Sequence, residues 1–130
     1  MNSFDTKKLP PVEDVIAPDG SEVRVLLALR GGSMAHFQLQ AGQVARAVRH
    51  RTVEEIWYFL SGEGQMWRSD GTREDTTKVS AGVCVTIPVG TRFQFRADPN
   101  GKLAAVAITM PPWPGEDEAE IVAGLWEPSV

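Results

Sequence analysis

Cysteine is almost missing from this chain. Cys84 is the only one in 130 residues. No intrachain disulfide can form, and a reducing cytoplasm is the expected location. Cys84 lies inside a β-branched run with nothing nearby in sequence to depress its pKa, so a buried, inert thiol is expected. Positive charge is also in short supply. Thirteen Lys and Arg face seventeen Asp and Glu, a net charge of −4. A nucleic-acid partner needs clustered cations at the phosphates, so none is expected. The short cluster Arg46, Arg49 and Arg51 reads as a solvated strand edge. No apolar stretch reaches the roughly 20 residues of a membrane span, and the start, Met1 to Leu9, is polar, so no membrane partner is expected either. Helix signals are nearly absent. The one candidate, Glu116 to Val122, has only Pro114-Gly115 as a start signal. There is no internal repeat, heptad or low-complexity segment.

What the chain does have is the punctuation of an all-β domain. Gly and Pro recur, with β-branched and aromatic runs between them. Residues 1–20, with Pro10, Pro11 and Pro18, read as an extended arm closed by the turn pair Asp19-Gly20. Strands are expected at Val23 to Leu29, Met34 to Gln40, Val44 to Arg49, Ile56 to Leu60, Gln65 to Arg68, Val83 to Ile87, Arg92 to Arg96 and Leu103 to Thr109. In Met34 to Gln40 the residues alternate, with Ala35, Phe37 and Leu39 on one side and His36, Gln38 and Gln40 on the other. Ser61-Gly62-Glu63-Gly64 and Asp70-Gly71 are turns. Short strands at roughly 8–12-residue spacing suggest a sandwich or barrel. A hydrophobic content of 42% is ordinary for one domain of this size.

The glycines fall at regular intervals around two chemically active residues. Gly42 is followed after five residues by Val48, then by His50, Glu55 and Gly62. A second run reads Gly82, Pro88, Gly90, Phe93 and Ala97. These runs resemble the two halves of the cupin signature, and the resemblance spans about residues 23–110. It implies a double-stranded β-helix, a jelly-roll barrel whose wide mouth opens into a pocket. The whole of 1–130 then forms one domain: an extended arm (1–20), the barrel (23–110) and a Pro/Trp-rich tail (111–130). Of the family's four metal ligands only His50 and Glu55 are matched here. Val48 and Phe93 stand where two more histidines would, and Ala97 replaces an asparagine.

Strand parity then assigns the pocket. With His50 and Glu55 inward, Val48 shares the face of His50, Trp57 and Phe59 share that of Glu55, and Phe95 follows Phe93. Such a lining suits an organic ligand held by apolar contact and oriented by a few polar groups. The same aromatics could instead fill the barrel. If His36 faced inward, two histidines and one carboxylate would suit a divalent metal such as Fe, Mn, Ni or Zn. A hairpin centred on Gly42 would bring His36 opposite Val48. Without metal, His50 and Glu55 could act as an acid–base pair. The family resemblance implies isomerase, decarboxylase or oxygenase chemistry on a small organic compound. The alternative is a non-catalytic binding or sensing barrel that has lost its metal. A homodimer is expected, and Trp113 and Trp126 are expected to pack the tail over its own barrel or, as the alternative, into a partner subunit.

Overall fold

The computed structural model describes residues 4–130. Eleven strands are seen among them: β1 (Val15–Ile16), β2 (Glu22–Leu29), β3 (Gly32–Leu39), β4 (Val48–His50), β5 (Glu54–Ser61), β6 (Glu63–Ser69), β7 (Glu74–Ser80), β8 (Cys84–Ile87), β9 (Arg92–Ala97), β10 (Leu103–Met110) and β11 (Ala119–Ile121). They form two antiparallel sheets, β1-β2-β3-β10-β5-β8 and β11-β4-β9-β6-β7. This is the all-β jelly-roll expected from the sequence. No helix among the described residues is long and apolar enough to cross a membrane.

Alternation places the core between the sheets. In β5 every second residue is buried, which turns Glu55, Trp57 and Phe59 inward. From the facing sheet β9 contributes Phe93, Phe95 and Ala97, and β6 contributes Met66. Leu39 and Leu103 complete one end of the barrel with Phe59 and Phe95, all four fully or almost fully buried.

Two glycines show why this sequence closes the barrel. Gly62 turns β5 into β6 with φ +83°, and a Cβ there would lie 1.9 Å from the carbonyl oxygen of Lys102. Only a residue without a side chain fits both the backbone angle and the gap. Gly64, expected in the turn, instead sits inside β6, where a Cβ would lie 2.0 Å from the Arg96 carbonyl oxygen of the neighbouring strand. Its role is close approach rather than reversal.

Several local expectations need correction. The run Val44 to Arg49 is strand only from Val48, and Val44 makes a single bridge to Arg96. The polar strand β7 has no apolar alternation to announce it. The stretch expected as a helix is a single 3₁₀ turn, Glu116–Glu118, followed by β11, which pairs with β4. The carboxylate of Glu118 receives the Thr52 and Val53 amides and the Thr52 hydroxyl at 2.6–2.8 Å, so tertiary partners fix the segment. Cys84 is exposed on the outer face rather than buried. Strand β3 pairs with β2 and β10, in the sheet opposite β4, so the hairpin that would set His36 against Val48 does not form.

The arm and tail both fold back on the barrel. Arg24 donates from Nε to the Pro10 carbonyl at 2.9 Å and from Nη2 to that of Pro11 at 3.3 Å. In the tail, Trp126 lies under the Arg96 guanidinium, 4.1 Å from the ring centroid. The buried Gln94 amide donates to the Ala45 and Trp126 carbonyls and accepts from the Leu125 and Trp126 amides, at 2.8–3.0 Å. The clustered arginines lie exposed or half-exposed, as a solvated edge would, and each also makes a tie. Arg49 pairs with Glu120 at 2.5 Å, Arg51 donates to the Asp117 carbonyl and Arg46 to that of Pro18.

Candidate functional site

The other end of the barrel stays open. A cavity of about 500 Å³ lies between the sheets, and its walls include Val48, His50, Glu55, Trp57 and Phe93. Those five residues were expected there. Phe59 and Phe95, also expected on the pocket wall, belong to the packed end and do not line the cavity. The barrel is therefore filled at one end and hollow at the other. Phe37 adds a wall by stacking on Trp57, with ring centroids 5.0 Å apart. The arm contributes Asp19 to the wall, and the tail contributes Pro112 and Trp113.

Each polar group in this cavity has an identifiable setting. Glu55 is 3% exposed and accepts a hydrogen bond at Oε1 from Trp57 Nε1 at 2.7 Å. The two residues are two apart on β5 and share a face. Burial raises the Glu55 carboxyl to about 7, against the Trp57 hydrogen bond, and the carboxylates of Asp19 and Glu118 push it the same way as burial. His50 is 6% exposed, with Nδ1 3.8 Å from Glu55 Oε2, beyond hydrogen-bond length. That nitrogen is buried and without a hydrogen-bond partner among the described residues. Phe93 and Trp113 meet the imidazole edge-on, with centroids 5.2 and 5.1 Å away. Burial lowers His50 to about 4, with Glu118 opposing. These shifts favour an uncharged imidazole at neutral pH and a carboxyl that keeps its proton to higher pH than an ordinary glutamate.

Asp19 went unrecognised as a site residue. Its Oδ1 accepts from Ser21 N at 2.9 Å and Ser21 Oγ at 2.6 Å, and burial raises its pKa against those bonds and against Arg46. The turn pair Asp19-Gly20 was visible in sequence, but its place on the cavity wall arises from the arm folding back. The alternation of β3 had already put Phe37 on the side away from His36, which was the available signal for its inward position.

His36 stands apart from the site. It is buried, but it alternates with Phe37 and does not line the cavity. It lies opposite Arg24 on the neighbouring strand, and burial and that guanidinium hold it below its ordinary pKa. The two-histidine, one-carboxylate set therefore does not assemble. Among the described residues no three His, Cys, Asp or Glu side chains come together as a metal-binding group. Val48 and Phe93 are register partners on β4 and β9, so the two further ligand positions are filled by adjacent apolar side chains. Two donors with apolar neighbours do not fit the three or four protein ligands that hold a catalytic ion.

A two-sheet antiparallel barrel, packed at one end and hollow at the other around a carboxyl and an imidazole, defines a protein of the double-stranded β-helix class. The chain belongs to the cupin domain family, whose model matches residues 35–109. No curated protein matches the chain. Among solved structures it is similar to the capsular polysaccharide assembling protein CapF from Staphylococcus aureus, at TM-score 0.70 and 15% identity, over 82% of this chain and 33% of that one. The chain thus spans about a third of CapF. An uncharacterized conserved protein with a double-stranded β-helix domain from Klebsiella pneumoniae aligns at TM-score 0.66 and 16% identity, over 80% of this chain and 85% of that one. A predicted oxalate decarboxylase from Thermotoga maritima aligns at TM-score 0.61 and 21% identity, over 70% and 80% of the two chains. At these identities the likeness is one of fold.

Proposed function

We propose that this cupin binds a small organic molecule in the open end of the barrel and exchanges a proton with it through Glu55, with His50 hydrogen-bonding the ligand. The observation that carries the reading is the pairing of a hollow, aromatic-walled cavity with a buried carboxyl and an unpartnered imidazole nitrogen on its wall. Buried polar atoms ordinarily find partners, and a ligand or a water in the cavity could supply one here. A carboxyl with a pKa of about 7 can both take and return a proton at neutral pH. The Trp57 indole holds one of its oxygens in place. Among isomerase, decarboxylase and oxygenase chemistry, an isomerase-type transfer asks only for groups already on these walls. The Glu55 carboxylate removes a proton from a carbon beside a carbonyl, and the resulting carboxylic acid returns it, while neutral His50 offers a hydrogen bond to the substrate. A non-catalytic binding role uses the same cavity, with both residues only orienting the ligand.

The test is proton exchange in deuterated buffer, using acetophenone as a carbon-acid probe and following its methyl signal by NMR. Faster exchange with the native protein, abolished by Glu55→Gln while probe binding persists, is the expected result. Binding without exchange would establish the non-catalytic role. Absence of both binding and exchange overturns the reading.

We also propose a homodimer. Supporting it, Met34, Ile56, Tyr58, Leu60 and Ile108 are exposed together on the outer face of the six-stranded sheet. Burying such a face against a twin removes apolar surface from water. A solution mass of about twice 14.2 kDa by light scattering is expected, and the single-chain mass at micromolar concentration would refute it.

A further inference from the structure

The walls of the cavity are one-sided in charge. Among the described residues no Lys or Arg lines it, and its ionisable acids are Glu55 and Asp19. The remaining titratable wall residue is His50. From these walls we infer that the cavity selects a cationic ligand, an amine or quaternary ammonium carried on an apolar body, over carboxylates and neutral isosteres. The inference rests on the binding role proposed above and specifies its ligand class.

Three kinds of contact converge on such a ligand. Trp57, Phe93, Phe37 and Trp113 are on the cavity wall, with Phe37 and Trp57 stacked on each other, and aromatic rings attract an ammonium group once water is excluded. The carboxyl of Glu55 supplies a counter-charge in a low-dielectric setting, where pairing is strong and an unpaired charge is costly. For an amine, which carries N–H groups where a quaternary ammonium has none, a neutral imidazole can also accept a hydrogen bond, and His50 Nδ1 is buried at the wall without a partner among the described residues. The surrounding charges agree. Asp19 and Glu118 both act on Glu55 in the direction of added negative charge. Arg46 attracts Asp19, but it is exposed, ties to the Pro18 carbonyl and does not line the cavity. An anionic ligand would meet buried carboxyls with no cation to offset them. A bound cation also favours the ionised form of Glu55, so its binding should release a proton and strengthen as pH rises through about 7.

The experiment titrates the full chain with three matched probes by isothermal calorimetry: benzyltrimethylammonium, benzyl alcohol and phenylacetate. At about pH 8 the ammonium probe should bind about tenfold or more tighter than benzyl alcohol, with phenylacetate weakest. The ratio of ammonium to alcohol affinity should fall toward one in Glu55→Gln, and in the native protein at about pH 5.5, where the carboxyl is protonated. Asp19→Asn should lower it by a smaller factor. The pH arm needs no variant, so a misfolded substitution does not remove the test. If benzyl alcohol binds as tightly as the ammonium probe, charge selection is wrong and the cavity's binding role survives. If none of the three binds, the binding role fails with it. A preference for the cation that neither pH nor Glu55→Gln alters would place its origin outside the cavity and overturn the assignment.

Discussion

The two ends of the barrel are built by the same strands and differ by two residues along each. On β5 the inward positions run Glu55, Trp57, Phe59, and on β9 they run Phe93, Phe95, Ala97. At the closed end Phe59 and Phe95 meet Leu39, Met66 and Leu103 in continuous apolar contact. At the open end the same alternation buries Glu55 and His50, whose hydration is lost without full replacement. Burial alone therefore does not distinguish structure from function in this molecule. The closed end gains stability from being dry, whereas the open end gives up stability to keep two ionisable groups on a cavity wall.

The sharpest way to break the contrast is to destroy the closed end at its turn. Gly62→Val forces a β-branched side chain into positive φ and onto the Lys102 carbonyl. The chain should fail to fold or melt tens of degrees lower, by roughly the sum of the strain and the clash. Gly71→Ala carries the same kind of φ but meets open space, and should lower the midpoint by only a few degrees. Equal melting temperatures would sink this account of Gly62.

A smaller effect compares one phenylalanine from each end. Phe59→Ala should cost about 3–5 kcal/mol, since it opens a void in packed surroundings. Phe93→Ala should cost clearly less, because its ring already borders a hollow. It should also enlarge the cavity, loosening the fit of small aromatic probes. Urea unfolding of both variants decides this, and a larger loss at Phe93 would erase the distinction between the ends.

The subtlest effect is in pH. The Glu55 pKa is raised on folding, from an ordinary 4.5 to about 7, so the folded state holds its proton longer than the unfolded state. This residue's contribution is complete below about pH 4.5 and is lost as pH rises through about 7. His50 is lowered from 6.5 to about 4, so its contribution is complete above about pH 6.5 and is lost as pH falls through about 4. Between these limits the two slopes oppose each other. Relative to the native protein, Glu55→Gln should gain stability as pH rises from about 4.5 to about 7, by about 3 kcal/mol at most. Relative to the native protein, His50→Gln should gain as pH falls from about 6.5 to about 4. Parallel stability curves for the native and substituted chains would contradict both settings.

The sequence was informative where local chemistry determines structure. The alternation in β5, the signature spacing around His50 and Glu55, and the turn at Gly62 all carry over, because period and backbone angle are local properties. It was uninformative where partners come from far along the chain. Strand β7 reads as Glu-Asp-Thr-Thr-Lys-Val-Ser, with only Val79 fully buried, so no apolar period marks it. The helix expected at Glu116 to Val122 lost to the pairing of β11 with β4 and to the capture of Glu118 by Thr52 and Val53. Asp19 became part of the site only because residues 15–16 pair with β2 and lay the arm along the mouth. Cys84 has the sequence setting of a core thiol, yet its parity on β8 turns it outward.

The hydrogen bond from Trp57 to Glu55 also has a spectroscopic consequence. An indole excited state is sensitive to a charge placed beside its N–H, and here that charge appears and disappears with one nearby carboxyl. Trp113 stands edge-on to the imidazole, so the second titrating group has its own indole. Two of the chain's four tryptophans thus sit beside Glu55 and His50, while Trp67 is bonded to Glu74 and Trp126 lies under Arg96. The emission of Trp57 and Trp113 should therefore respond to protonation in the cavity, over a background from Trp67 and Trp126.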